Sequence, residues 1–403
     1  RYANVDVFID ERIKPSNEAL VSNFPIYSYT EYSKMRNEYD IALYHMGNSE
    51  YHEFIYKCLI DYPGITVLHD IYLHGFLWCC SLSRGDRERY LKEFEYCHGS
   101  EGLEIAKRAM ESGVYPEFEY PLIKRIVDNS LGIVCHSNFG LTKALECDST
   151  AIVSKINHPL RIPEEIKIID QIDVEDLKMK LGIDEAKLVI TSFGFVSAHK
   201  RYPILFSAFK SFLKDYPNSI LLLVGEDLLG IDRLVSDLGI GKSIKKTGYS
   251  PFNRIIEYLA VSDFCVNLRY PTAGETSGSV LRIMAAGKPV IVSNIGWFSE
   301  IPDSCCLKVD VDSYEEEILL EYMKLLASNA HLRRTLGTNA KDYVIKEHDP
   351  ETIARQYYMF IRDVLNGNEI IINSISEKLF QLGIGDKDED IIRKISERAH
   401  ELF

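Results

Sequence analysis

Between Arg269 and Asp303 the chain reads RYPTAGETSGSVLRIMAAGKPVIVSNIGWFSEIPD. Gly274, Glu275, Thr276, Ser277, Gly278 and Ser279 stand where a helix should begin, and Ala285, Ala286 and Gly287 where it should end. Such a loop leaves backbone N–H groups unpaired and presents the positive end of the helix dipole, an arrangement that binds phosphate. Arg269, just upstream, adds a fixed cation, and Glu275 adds a carboxylate able to accept from a hydroxyl. The chemistry predicted here is the holding of a phosphorylated ligand.

A second stretch, SFGFVSAHKR over 192–201, has the same character. Gly194 permits close backbone approach to a ligand. Lys200 and Arg201 are placed to neutralise a diphosphate. A glycine followed by Lys-Arg also describes a solvated loop. The segment gains meaning from its pairing with the 269–279 loop.

Positioning these loops requires a framework of buried strands. Residues 188–193 (LVITSF), 219–224 (SILLLV), 264–268 (FCVNL) and 288–293 (KPVIVS) are short apolar runs without alternation, as in parallel strands covered on both faces. Helical stretches at 204–215, 254–261 and 279–286 lie between or beside them. The first half reads likewise, with strands at 5–9, 41–44, 65–68 and 132–136 and helices at 51–60, 86–97 and 102–112. Strict alternation makes each half a doubly wound α/β domain. The expected fold class is therefore α/β, with two Rossmann-like domains in tandem. The expected division is 1–160, then 161–349 carrying the phosphate loops, then helices over 350–403. The first of these helices crosses back to the N-terminal domain and ends near residue 365, before a polar break at 366–369.

The 403 residues carry a formal net charge of −14, which excludes nucleic acid as the main partner. Nine cysteines, among them the adjacent pairs Cys79–Cys80 and Cys305–Cys306, form no CxxC or Cys/His ligand pattern. They read as reduced thiols in a cytoplasmic protein. No apolar run reaches the ~20 residues of a bilayer span, and no metal site is expected.

The run Gly194 with Lys200, LLLVGED over 221–227, TGY over 247–249 and the long stretch from AVSDFCVNLRYPTAGETSG onward resembles the donor domain of a GT-B glycosyltransferase of family 4. The likeness is strong over 187–345 and looser before it. It implies two domains facing across a cleft and a nucleoside-diphosphate sugar as donor substrate. It also implies sugar transfer to a hydroxyl with retention at the anomeric carbon, with neither a bound metal nor another cofactor. On this resemblance the donor and diphosphate site takes Gly194, Lys200, Arg201, Arg269, Thr276, Ser277, Gly278, Ser279 and Arg282. Glu275 and His69 take the catalytic roles. His69 and Asp70 end a strand, and His45 and Asn48 end another, so His45, Asn48 and Asp70 are acceptor-side candidates.

Three departures from the family pattern stand out. The second glutamate, seven residues beyond the first, falls on Ile283 or Arg282, so the ribose of the nucleotide must be held differently. Phe195 replaces the arginine often found after the first glycine. The Gly-rich loop that opens the first domain is missing, as though the chain began after it. The acceptor implied is a glycan or lipid-linked molecule of surface polysaccharide synthesis. The implied location is cytoplasmic, with peripheral contact at the inner face of a membrane. The 370–403 tail is assigned to packing or assembly. Two alternatives stand beside this reading: a nucleotide-sugar epimerase of the same fold, and a non-catalytic scaffold.

Overall fold

The computed structural model describes residues 2–13, 15, 17–162, 166, 169–183 and 188–381, with residues 170, 252, 253 and those beyond 367 described by backbone alone. The chain divides into two compact units, residues 157–350 and residues 1–156 with 351–403.

In the 157–350 unit, the strands β7 (Leu188–Phe193), β8 (Ser219–Val224), β9 (Ile244–Lys246), β10 (Phe264–Asn267), β11 (Val290–Ser293) and β12 (Leu307–Val309) form a parallel sheet. Their order is β12-β11-β10-β7-β8-β9. Taking β7 as the first strand of the domain, this is the 3-2-1-4-5-6 order of the dinucleotide-binding fold. All six residues of β7 are buried. Val189 and Phe193 enter one apolar cluster, with Leu281 and Met284, while Leu188 and Ile190 enter another, with Phe206 and Phe209. Helices thus cover both faces, and this is why the strand sequence shows no alternation. The strand order reverses between β7 and β10, and the loops leaving their carboxyl ends carry the two phosphate-loop candidates.

In the other unit, β3 (Leu43–Met46), β4 (Gly64–Leu68), β5 (Ser130–Cys135) and β6 (Val153–Lys155) form a parallel sheet in sequential order. The first strand expected from sequence is present as β1 (Val7–Ile9). It pairs with β2 (Ile26–Ser28) in a separate two-stranded sheet instead of joining the larger one. The two helices expected over 86–112 form one span, Arg87–Ser112, kinked at Gly99, whose φ is 63°. The last helix, Pro350–Gln381, runs through the polar stretch where a break was expected. That stretch holds no proline, and a lone Gly367 costs a helix only about 1 kcal/mol. Its first turns pack on the sheet of this unit: Ile353 and Val364 share a buried cluster with Ile65, Val67 and Val134. The tail beyond residue 381 lies outside the described residues.

Candidate functional site

The loop after β7 is built around one carbonyl. The Phe193 oxygen accepts from the Lys200 ammonium and from Asn267 Nδ2 at 3.3 Å. Gly194 turns there with φ 97°, and a Cβ added to it would lie 2.5 Å from Lys200 Nζ. Lys200 is 6% exposed. Burial, then the nearby Arg269, pushes its ammonium down to about 7, with Glu275 acting in the opposite direction. A buried amine at this poise gains charge readily when an anion arrives.

The loop after β10 is fastened to the first. The Tyr270 N–H donates to the His199 carbonyl at 2.7 Å, and the Arg269 N–H donates to Ser293 Oγ at 2.8 Å. Glu275 sits between two partners: Arg269 Nε lies 3.1 Å from its Oε1, and Thr272 Oγ1 donates to its Oε2 at 2.8 Å. The Arg269 contact is an ion pair without the alignment of a hydrogen bond. Ser277 caps the helix Gly278–Ala285, its Oγ accepting from the Val280 N–H at 3.3 Å. Capping settles one end-group, while the first N–H groups of a helix have no partner within it. The Thr276 hydroxyl is buried without a hydrogen-bond partner among the described residues.

Behind Gly194 lies a cavity of about 260 Å³, lined among others by Gly225, Glu226, Tyr249, Ser279 and Arg282. Burial lowers the Arg282 guanidinium, and its Nη1 donates to the Gly278 carbonyl at 3.0 Å. The expected grouping of Gly194, Lys200, Arg269, Glu275, the 276–279 turn and Arg282 is therefore present around the carboxyl ends of β7 and β10.

Arg201 closes an ion pair with Glu315, which is only 2% exposed. Its Nε donates to Glu315 Oε1 at 3.2 Å. Its charge is shared with a buried carboxylate 114 residues away. His199, to which the sequence assigns no role, sits beside Arg269, Glu275 and Lys200. Burial and Arg269 push its imidazole down to about 4, against the pull of Glu275.

Residues 157–350 match a family model over 173–343, described as glycosyl transferases group 1. The 173–343 segment is a group 1 glycosyltransferase domain. Among curated proteins the chain is 25% identical over 203 residues to alpha-monoglucosyldiacylglycerol synthase of Acholeplasma laidlawii, covering 50% of each. It is 26% identical over 205 residues to N-acetyl-alpha-D-glucosaminyl L-malate synthase of Bacillus anthracis, covering 49% of this chain and 51% of that one. The chain thus spans about half the length of the curated relatives it matches. Among solved structures, HepE of Anabaena, crystallised with UDP and glucose, superposes with a TM-score of 0.59 at 16% identity, over 87% of this chain and 90% of that one. WaaG, a glycosyltransferase involved in lipopolysaccharide biosynthesis, gives 0.56 at 16% identity over 87% and 88%. The fold is GT-B, with two Rossmann-like domains, of which the group 1 domain is the second.

The unit outside the group 1 domain carries the histidine candidates. His69 follows β4 and His45 lies in β3, with His45 Nδ1 and His69 Nε2 3.0 Å apart and their rings stacked at 5.3 Å. His136 follows β5 at the equivalent strand end, its ring 5.1 Å from that of His69 and its Nδ1 2.8 Å from the Ile156 carbonyl. The sequence assigns His136 no role, although its place at the end of a buried strand is the same signal that picks out His69. Asn48 and Asp70 tie loops together: the Asn48 N–H donates to Asp70 Oδ2, and Asn48 Oδ1 accepts from the Phe76 N–H, both at 2.8 Å. Among the described residues no cluster of His, Cys, Asp or Glu could hold a metal ion. None of the described helices is long and apolar enough to cross a membrane.

Proposed function

We propose that this chain transfers a sugar from a nucleoside-diphosphate sugar to an acceptor hydroxyl, with retention at the anomeric carbon. The observation that carries the reading is the convergence of Lys200, Arg269 and the Gly278 helix end at the reversal of a 3-2-1-4-5-6 sheet, within a group 1 domain. Ligands of open α/β sheets bind at this point. The relatives support a nucleotide sugar as donor, since HepE was crystallised with UDP and glucose.

In this reading the bond between the anomeric carbon and the β-phosphate oxygen breaks. The acceptor oxygen bonds to that carbon on the same face. The acceptor proton passes to the departing phosphate oxygen. Lys200, Arg269 and the loop amides offset the charge that grows on the diphosphate, without a metal in that role. Glu275 accepts from the sugar hydroxyls, and His69 serves the reacting centre. The acceptor is a glycan or a lipid-linked precursor, reached at a membrane surface.

Thermal-shift screening with UDP, GDP, ADP, CMP and their sugars tests the donor site. Stabilisation by one nucleoside diphosphate that is lost in Lys200→Ala supports it. Absence of any shift overturns it. The anomeric configuration of the product, read by proton NMR against that of the donor, tests retention.

A further inference from the structure

Resting on that reading, we infer that Glu226 holds the ribose hydroxyls of the donor nucleotide. Glu226 follows β8, the second strand of the domain, directly beyond Gly225. In dinucleotide-binding proteins with this strand order, an acidic residue downstream of the first phosphate loop accepts from the ribose 2′-hydroxyl. Here it stands at the wall of the cavity behind Gly194, and it is the one carboxylate among the residues lining it.

Its backbone is held by its neighbours, while its side chain is exposed. The Glu226 carbonyl accepts from the Val196 N–H at 2.8 Å, tying it to the loop that follows β7. Next to it, Asp227 accepts from the N–H groups of Leu229 and Gly230 at 3.1 and 2.9 Å, and so folds the turn onward. Among the described residues the Glu226 carboxylate makes no ion pair, in contrast to Asp227, which also meets Lys246 at 3.3 Å. The cavity, about 260 Å³, is concave and lined mostly by apolar side chains, as small-molecule sites are. Gly194 and the Gly278 helix end lie at its edge, placing a diphosphate where a nucleoside in the cavity would continue. On the helix where a second carboxylate would otherwise approach, positions 282 and 283 are Arg and Ile, neither of which accepts from a hydroxyl.

Isothermal titration of the full chain with UDP, GDP and ADP, each against its 2′-deoxy counterpart, tests this assignment. The wild type is expected to prefer the ribonucleotide by ~10-fold or more, the worth of a hydrogen bond to a charged acceptor. Glu226→Ala should bring that ratio close to one while the 2′-deoxy nucleotide keeps its affinity. Glu226→Gln should retain part of the ratio, because the amide oxygen still accepts. Ser250→Ala serves as a control from the same cavity. A ratio unchanged in Glu226→Ala, or one that follows Ser250 instead, overturns the inference and leaves the donor-site reading standing. Failure of the wild type to bind any of the six nucleotides overturns both.

Discussion

Arg201 and Glu315 are joined across 114 residues of chain, the carboxylate 2% exposed and the guanidinium more than a quarter exposed. The pair ties the loop after β7 to the helix Glu315–Ser328. Arg201 also lies over the Tyr270 ring at 5.6 Å, so it braces the second loop as well. Removing the arginine leaves a buried carboxylate without its counter-charge. Arg201→Ala should therefore lower stability by about 3 kcal/mol in denaturant unfolding. Nucleotide affinity of the folded protein should fall far less than in Lys200→Ala. Equal loss of affinity in the two variants would return Arg201 to the ligand.

Lys200 makes stability depend on pH. It titrates near 10.5 when unfolded and at about 7 when folded. Between those values the unfolded chain binds more protons, so this contribution improves as pH rises from about 7 towards 10.5. Below about 7 both states are charged, and the full cost of burying the ammonium is present. Lys200→Met should thus raise the melting temperature more at pH 6 than at pH 9. A difference that does not vary between the two pH values would sink the assignment.

Two glycines set the spacing of the loops. A Cβ at Gly225 would fall on the Gly194 carbonyl group, which is backbone and cannot yield. A Cβ at Gly194 would meet the end of the Lys200 side chain, which can. Gly225→Ala should be the more destabilising in thermal denaturation, by ~2 kcal/mol or more. Gly194→Ala, strained at φ 97° and displacing the ammonium, should show its larger effect on nucleotide affinity.

Glu275 is held by Arg269 and Thr272 before any sugar arrives. Glu275→Gln should keep nucleoside-diphosphate binding within about threefold and lower kcat of transfer by ~10²-fold, the scale of losing one charge-stabilising contact. An unchanged kcat in a sugar-transfer assay would restrict the carboxylate to bracing the loop.

The buried strands of the group 1 domain were legible because their apolar runs are continuous: β7 and β8 begin and end where the sequence placed them. The strands β2, β6, β9 and β12 were not, since each has three residues and partial burial gives no pattern to read. The loops at Gly194 and Gly274 were visible through their composition. The pairing of Arg201 with Glu315 was not legible, because the partner is remote in sequence and no local pattern announces a long-range ion pair. Glu226 stood in plain view in LLLVGED, but its meaning depends on β8 being second in the sheet order, which is a property of topology.

The 157–350 unit enters and leaves the chain at one seam. The Leu160 N–H donates to the His348 carbonyl at 2.9 Å, His348 Nδ1 lies 2.7 Å from the His158 carbonyl, and Asn157 Nδ2 donates to the Glu347 carbonyl at 3.0 Å. The module is therefore an insertion whose two ends are already stitched together. Its sheet would be indifferent to where the polypeptide opens. A circular permutant joining 350 to 157 through a short linker, with new termini in an exposed turn such as that at Gly230, would preserve every strand pairing of the module.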